Sequence, residues 1–169
     1  MKKKHTEDRL EDAIEFELIH QGGYQKGNPE DYDREQALFP EQVLSFIQTT
    51  LPKPWKALQA IHKSDTKKVV LADLCKTLNS SGMLKVLRHG FKCFGKLRVA
   101  FFAPGNQKNP DSLKLYSENR LTITRQVKYD KAGNKPDLML SVNGLPVVTV
   151  ELKNPNSGQT LGIPEAFGH

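Results

Sequence analysis

Apolar residues recur at helical spacing through the first half of the chain and alternate with polar ones through much of the second. Leu10, Ile14 and Leu18 fall at i, i+4 and i+8 with Ala13 beside them, which predicts an amphipathic helix over residues 6–21. Thr6 or Asp8 can cap it, acids crowd its first turn, and Gly22-Gly23 stops it. The polar, turn-rich run from Gln25 to Asp33 reads as a loop. Pro40 can open a second helix with Val43, Leu44 and Ile47 on its inner face. Pro52 and Pro54 end that helix and start a short third one, on which Trp55, Leu58 and Ile61 share a face. Val70, Leu71, Leu74 and Leu78 predict a helix over residues 66–78, interrupted by Asn79-Ser80-Ser81-Gly82. A shorter helix then runs to about His89, with Gly90 as its stop.

The period then changes. Leu97 to Phe102 is a strand candidate, Ala103 to Pro110 a loop, and Asp111 to Asn119 one or two helical turns. Leu121 to Tyr129 alternates and is rich in β-branched residues, the mark of a strand. A turn around Gly133 leads to a second strand, Leu138 to Val142, and Asn143-Gly144 is a strong hairpin turn. Val147 to Leu152 is a third strand, apolar enough to read as buried on both faces. The expected fold is α/β (α+β): one domain over residues 1–169, mainly helical to residue 90, with a sheet over 91–160 ending in an antiparallel meander, and a divergent tail at 161–169.

Three polar residues stand at strand positions that ought to be packed. Asp137 opens the second strand, and Glu151 and Lys153 close the third. Side chains two apart on a strand share a face, so Glu151 and Lys153 point one way and Leu152 the other. Two carboxylates and a lysine at neighbouring strand ends can hold a hard cation such as Mg²⁺ and a phosphate. The metal would polarise the phosphoryl oxygen and acidify a bound water, and Lys153 would orient that water or neutralise charge in the transition state. Phosphodiester hydrolysis is the chemistry implied. Parity sets a condition on it. A strict two-residue turn at Asn143-Gly144 pairs Asp137 with Val150 and turns it away from Glu151. A shared site therefore requires a β-bulge or a three-residue loop between them.

Charge sharpens the identity of the substrate. Met1 to Glu41 carries 6 Lys+Arg against 11 Asp+Glu, whereas Lys85 to Lys135 carries 12 against 3. A basic block of that kind favours a polyanion, and nucleic acid is the obvious one. Arg120, Arg125, Lys128 and Lys135 are its members nearest the constellation and the candidates for DNA-backbone contact. No apolar run approaches the roughly 18 residues that would span a bilayer, and the lysines at the N-terminus lead into acids, not into an apolar signal segment. Cys75 and Cys93 have no metal or redox spacing and read as reduced, which fits a cytoplasmic protein.

The segment Pro136-Asp-Leu-Met-Leu-Ser-Val-Asn-Gly-Leu-Pro-Val-Val-Thr-Val-Glu-Leu-Lys-Asn-Pro155 resembles the N-terminal nuclease region of the R (restriction and motor) subunit of type I restriction endonucleases. The likeness extends upstream through Asn119 to Tyr129, and Leu10-Glu-Asp-Ala-Ile-Glu15 and Gly22-Gly23-Tyr24 share it. The resemblance implies a PD-(D/E)xK fold, Mg²⁺-dependent cleavage of unmodified double-stranded DNA, and partnership with specificity and methyltransferase subunits. It also implies a further glutamate from the first helix, for which Glu11 is preferred over Glu15. The family's Gln-x-x-x-Tyr motif after the lysine has no counterpart in Gly162–His169, so the core is expected to lack its last helix and strand. ATP use in this family belongs to a motor region. Gly90-Phe-Lys-Cys-Phe-Gly-Lys96 nearly matches a phosphate loop, but Leu97 replaces the Ser/Thr that would hold Mg²⁺. Two other readings stay open: a catalytically incomplete DNA-binding or subunit-docking module, and a different PD-(D/E)xK nuclease such as a repair enzyme.

Overall fold

A computed structural model describes residues 4–105 and 109–153. The order of elements is α1 (Lys4–His20), β1 (Tyr24–Lys26), α2 (Pro40–Thr50), α3 (Pro52–His62), α4 (Thr66–Ser81), α5 (Met83–His89), β2 (Phe91–Lys92), β3 (Lys96–Leu97), α6 (Pro110–Ser117), β4 (Leu121–Arg125), β5 (Leu138–Val142) and β6 (Leu145–Val150). The architecture is mixed α/β, as the change of period implied. The divergent tail lies outside the described residues.

Prolines place the helix starts. α2, α3 and α6 each carry proline in the first turn, where the missing N–H costs no hydrogen bond. Val43, Leu44 and Ile47 of α2 are buried, as are Val70, Leu71 and Leu74 of α4. Trp55 and Leu58 of α3 join them, but Ile61 is exposed. These residues form the main core with Val86, Phe91, Leu97 and Val99, and Leu145 of β6 reaches into it. A smaller cluster of Phe39, Val127 and Met139 lies under the sheet, with Tyr32 against it.

The large sheet has the order β1-β4-β5-β6. β4, β5 and β6 are the expected meander, and β1 adds in parallel to β4 with Tyr24 opposite Leu121. The run read as a loop from Gln25 therefore begins within a strand. It is too short to show a period. The expectation of a doubly buried third strand is also corrected. β6 is an edge strand among the described residues, with Val147 and Val148 39% and 45% exposed.

The strand expected over 97–102 is confined to Lys96–Leu97, which pairs with Phe91–Lys92. Beyond it, the main chain of Phe101 bonds to the side-chain amide of Asn119 at both its N–H and its carbonyl. That amide substitutes for a strand partner, so the buried Val99 and Ala100 need none. The Gly90–Lys96 segment lies in this small hairpin and does not lead into a helix, unlike a phosphate loop.

Candidate active site

Asn143 and Gly144 both have positive φ, 51° and 84°, which is the conformation of a two-residue type I′ turn. Val142 accordingly pairs with Leu145, and Ser141 with Pro146. Between Ser141 and Leu140 the register slips by one residue, so that Leu140 faces Val148 and Leu138 faces Val150. Val147 is the extra residue. This is the bulge that parity required, and continuing the register by one position sets Asp137 opposite Glu151.

Asp137 is half-buried, and Glu151 and Lys153 are exposed with half-buried Leu152 between them. The Leu152 N–H donates to Oδ2 of Asp137 and ties the end of the third strand to the start of the second. The Asp137 carbonyl accepts from the Gln126 N–H at 3.2 Å. Gln126 has φ of 55°, a left-handed conformation that breaks the alternation of β4. Arg125 and Gln126 would otherwise point to opposite faces. Instead both reach Glu11. Gln126 Nε2 lies 3.4 Å from Glu11 Oε1 and 3.5 Å from Asp137 Oδ1, so one amide nitrogen stands between two carboxylates.

α1 meets the sheet through acids. The expected inner stripe is corrected: Leu10 is 47% exposed, Ile14 and Leu18 are half-buried, and Glu11 and Glu15 are buried. The reason is Arg125. Its Nε and Nη2 donate to Glu11 Oε2 at 2.9 and 2.6 Å, and Nη1 donates to Asp12 at 2.6 Å. Glu15 lies 3.7 Å from the same guanidinium and 3.0 Å from Lys26. Burial alone would lower the Arg125 pKa, but the hydrogen bonds to Asp12 and Glu11 outweigh it and raise it. Glu11, not Glu15, is the helix acid that shares a partner with Asp137.

The basic candidates are divided. Lys128 and Lys135 are exposed on the connection from β4 to β5, at the Asp137 end of the sheet. Arg120 is exposed at the opposite end, the length of β4 away, roughly 16 Å. Arg125 is held in the carboxylate cluster of α1. Gln126, Asp12 and Lys26 carried no signal in the sequence, because an isolated glutamine in an alternating run does not announce a left-handed residue. The thiols offer no nucleophile: burial, then a hydrogen bond from Asp73, pushes Cys93 up to about 12, and burial raises Cys75.

No described helix is long and apolar enough to cross a membrane. No solved structure matches the chain. A relative in Haemophilus influenzae, the type I restriction enzyme HindI endonuclease subunit, is 30% identical over 146 residues, which is 81% of this chain but 12% of that protein's length. The family model "Type I restriction enzyme R protein N terminus (HSDR_N)" matches residues 4–168. Nearly the whole chain is thereby accounted for, and it belongs to the family of type I restriction enzyme R protein N termini.

Proposed function

We propose that this chain is the nuclease part of a type I restriction enzyme R subunit and hydrolyses the backbone of unmodified double-stranded DNA with Mg²⁺. The observation that carries the reading is the register slip at Val147, which aligns Asp137 with Glu151. The donors suit the ion: both are carboxylates, one is oriented by a main-chain N–H, and the other is exposed and open to water. Among the described residues no three His, Cys, Asp or Glu gather as a metal group. Two protein carboxylates with several retained waters is an ordinary arrangement for Mg²⁺.

Asp137 and Glu151 would hold the ion, which supplies Lewis acidity at the phosphoryl oxygen and an acidified water. Lys153 orients the attacking water and neutralises charge that develops on the phosphate. Glu11 adds negative charge beside Asp137 and is itself fixed by Arg125 and Gln126. Lys128 and Lys135 take backbone phosphates at this end of the sheet, and Arg120 takes one farther along the duplex. Phosphate contacts position DNA without reading its sequence, so recognition is left to a specificity subunit, with a methyltransferase subunit in the same complex. ATP would act through a motor region of the longer R polypeptide, and the assembly would work in the cytoplasm.

Supercoiled plasmid with Mg²⁺ tests this on the chain itself. Wild type is expected to nick or linearise it, and Asp137→Ala and Lys153→Ala to do so at least about 100-fold more slowly. Equal rates for all three, including none, remove catalysis from the reading. One observation favours the binding-module reading: Glu11 is already saturated by Arg125 and is not free for a metal. A salt-sensitive gel shift without cleavage is its signature.

A further inference from the structure

A polar cavity of about 350 Å³ adjoins the carboxylates, walled by Pro29, Glu30, Tyr32, Arg34, Gln126 and Lys128. Gln126 is the shared wall, since its amide also faces Glu11 and Asp137. The two cations come from distant parts of the chain, and neither makes an ion pair among the described residues. Arg34 donates one bond, to the main-chain carbonyl of Asp130 at 3.3 Å, which fixes the guanidinium without cancelling its charge. Most of its five N–H donors remain available.

Nearby acids are occupied elsewhere. Asp31 accepts from Asn28, Asp33 from the N–H groups of Glu35 and Gln36, and Asp130 from Asn134. Glu30 is the one acid in the wall, so the cavity carries a net positive charge. Tyr32 packs edge-on against Phe39, with ring centres 5.3 Å apart. Burial, then the charge of Asp33, raises its pKa, so its hydroxyl stays a donor at neutral pH.

The geometry points to this cavity as a second phosphate site, holding a backbone phosphate of the DNA strand whose scissile phosphate lies at Asp137 and Glu151. Arg34 and Lys128 supply the charge, and Tyr32 and Gln126 supply neutral donors. The identification of the polyanion as DNA rests on the nuclease reading. The site itself rests on the cavity and its unpaired cations.

Fluorescence anisotropy of a labelled DNA duplex, titrated with the full chain in EDTA over a range of salt, reads the site without metal or cleavage. Arg34→Met with Lys128→Met is expected to weaken binding equally on unrelated sequences. It should flatten the slope of log K against log salt by about 2, roughly one for each lost phosphate contact. Arg34→Lys, which keeps the charge, is expected to keep the wild-type slope. Circular dichroism confirms that the double variant is folded. If a folded double variant binds with wild-type affinity and slope, the site is refuted. Inorganic phosphate that competes in wild type and equally in the double variant refutes it as well. Wild type that binds no duplex overturns both this site and the nuclease reading. Cleavage by Asp137→Ala at the wild-type rate overturns only the catalytic assignment.

Discussion

Arg125 directs its guanidinium at carboxylates of a single helix, and Glu11 takes two of its bonds while only 4% exposed. A buried carboxylate keeps its charge only if it is paired and hydrogen-bonded. Removing the arginine therefore leaves an uncompensated charge between α1 and β4. Arg125→Met is expected to lower stability by roughly 2–3 kcal/mol. That is less than the roughly 3–5 kcal/mol for breaking a fully buried pair, because the arginine side chain is a quarter exposed. Adding Glu11→Met should recover most of the loss, since paired apolar groups no longer strand a charge. Urea unfolding of the three proteins measures both steps. The helix was legible in the sequence, but its inner face was not. Hydrophobic spacing pointed to Leu10, and nothing in the sequence tells that Arg125, over a hundred positions away, turns the acids inward.

The hairpin from β5 to β6 shows what local chemistry can and cannot specify. Asn143-Gly144 announced its turn because few other residues accept two successive positive φ angles. The turn is also a packing point. Asn143 accepts from the Arg120 N–H at 2.7 Å and donates to the Val99 carbonyl at 2.8 Å. A Cβ on Gly144 would lie 2.6 Å from the Phe39 carbonyl oxygen. Gly144→Ala thus meets both a left-handed backbone and a main-chain clash. It is expected to cost about 2–4 kcal/mol, read as a lowered thermal midpoint by calorimetry. The bulge at Val147 could be required by parity but not located, because any residue of the strand can be the extra one. That β6 lies at the sheet edge was hidden for another reason. Valine-rich strands read alike whether a neighbour covers them or not, and only the strand order distinguishes them.

Across the whole molecule, the uneven charge of the sequence divides into two uses. The acids of α1 turn inward to Arg125 and Lys26, while Arg34, Lys128 and Lys135 stay unpaired near Asp137. A positive rim around two carboxylates suits a site that must bring a polyanion to a cation. Lys135 and Lys128 were visible as part of a basic block. Arg34 was not, because it lies among acids in the sequence and joins the lysines only through the fold. The account stands on Asp137 and Glu151 acting as one divalent-cation site, and calorimetric titration of the full chain with Mg²⁺ tests that directly. Wild type is expected to bind at one site, with affinity falling at least about 10-fold in both Asp137→Ala and Glu151→Ala and holding in Lys153→Ala. Folded Asp137→Ala and Glu151→Ala proteins that bind Mg²⁺ as tightly as wild type would contradict it.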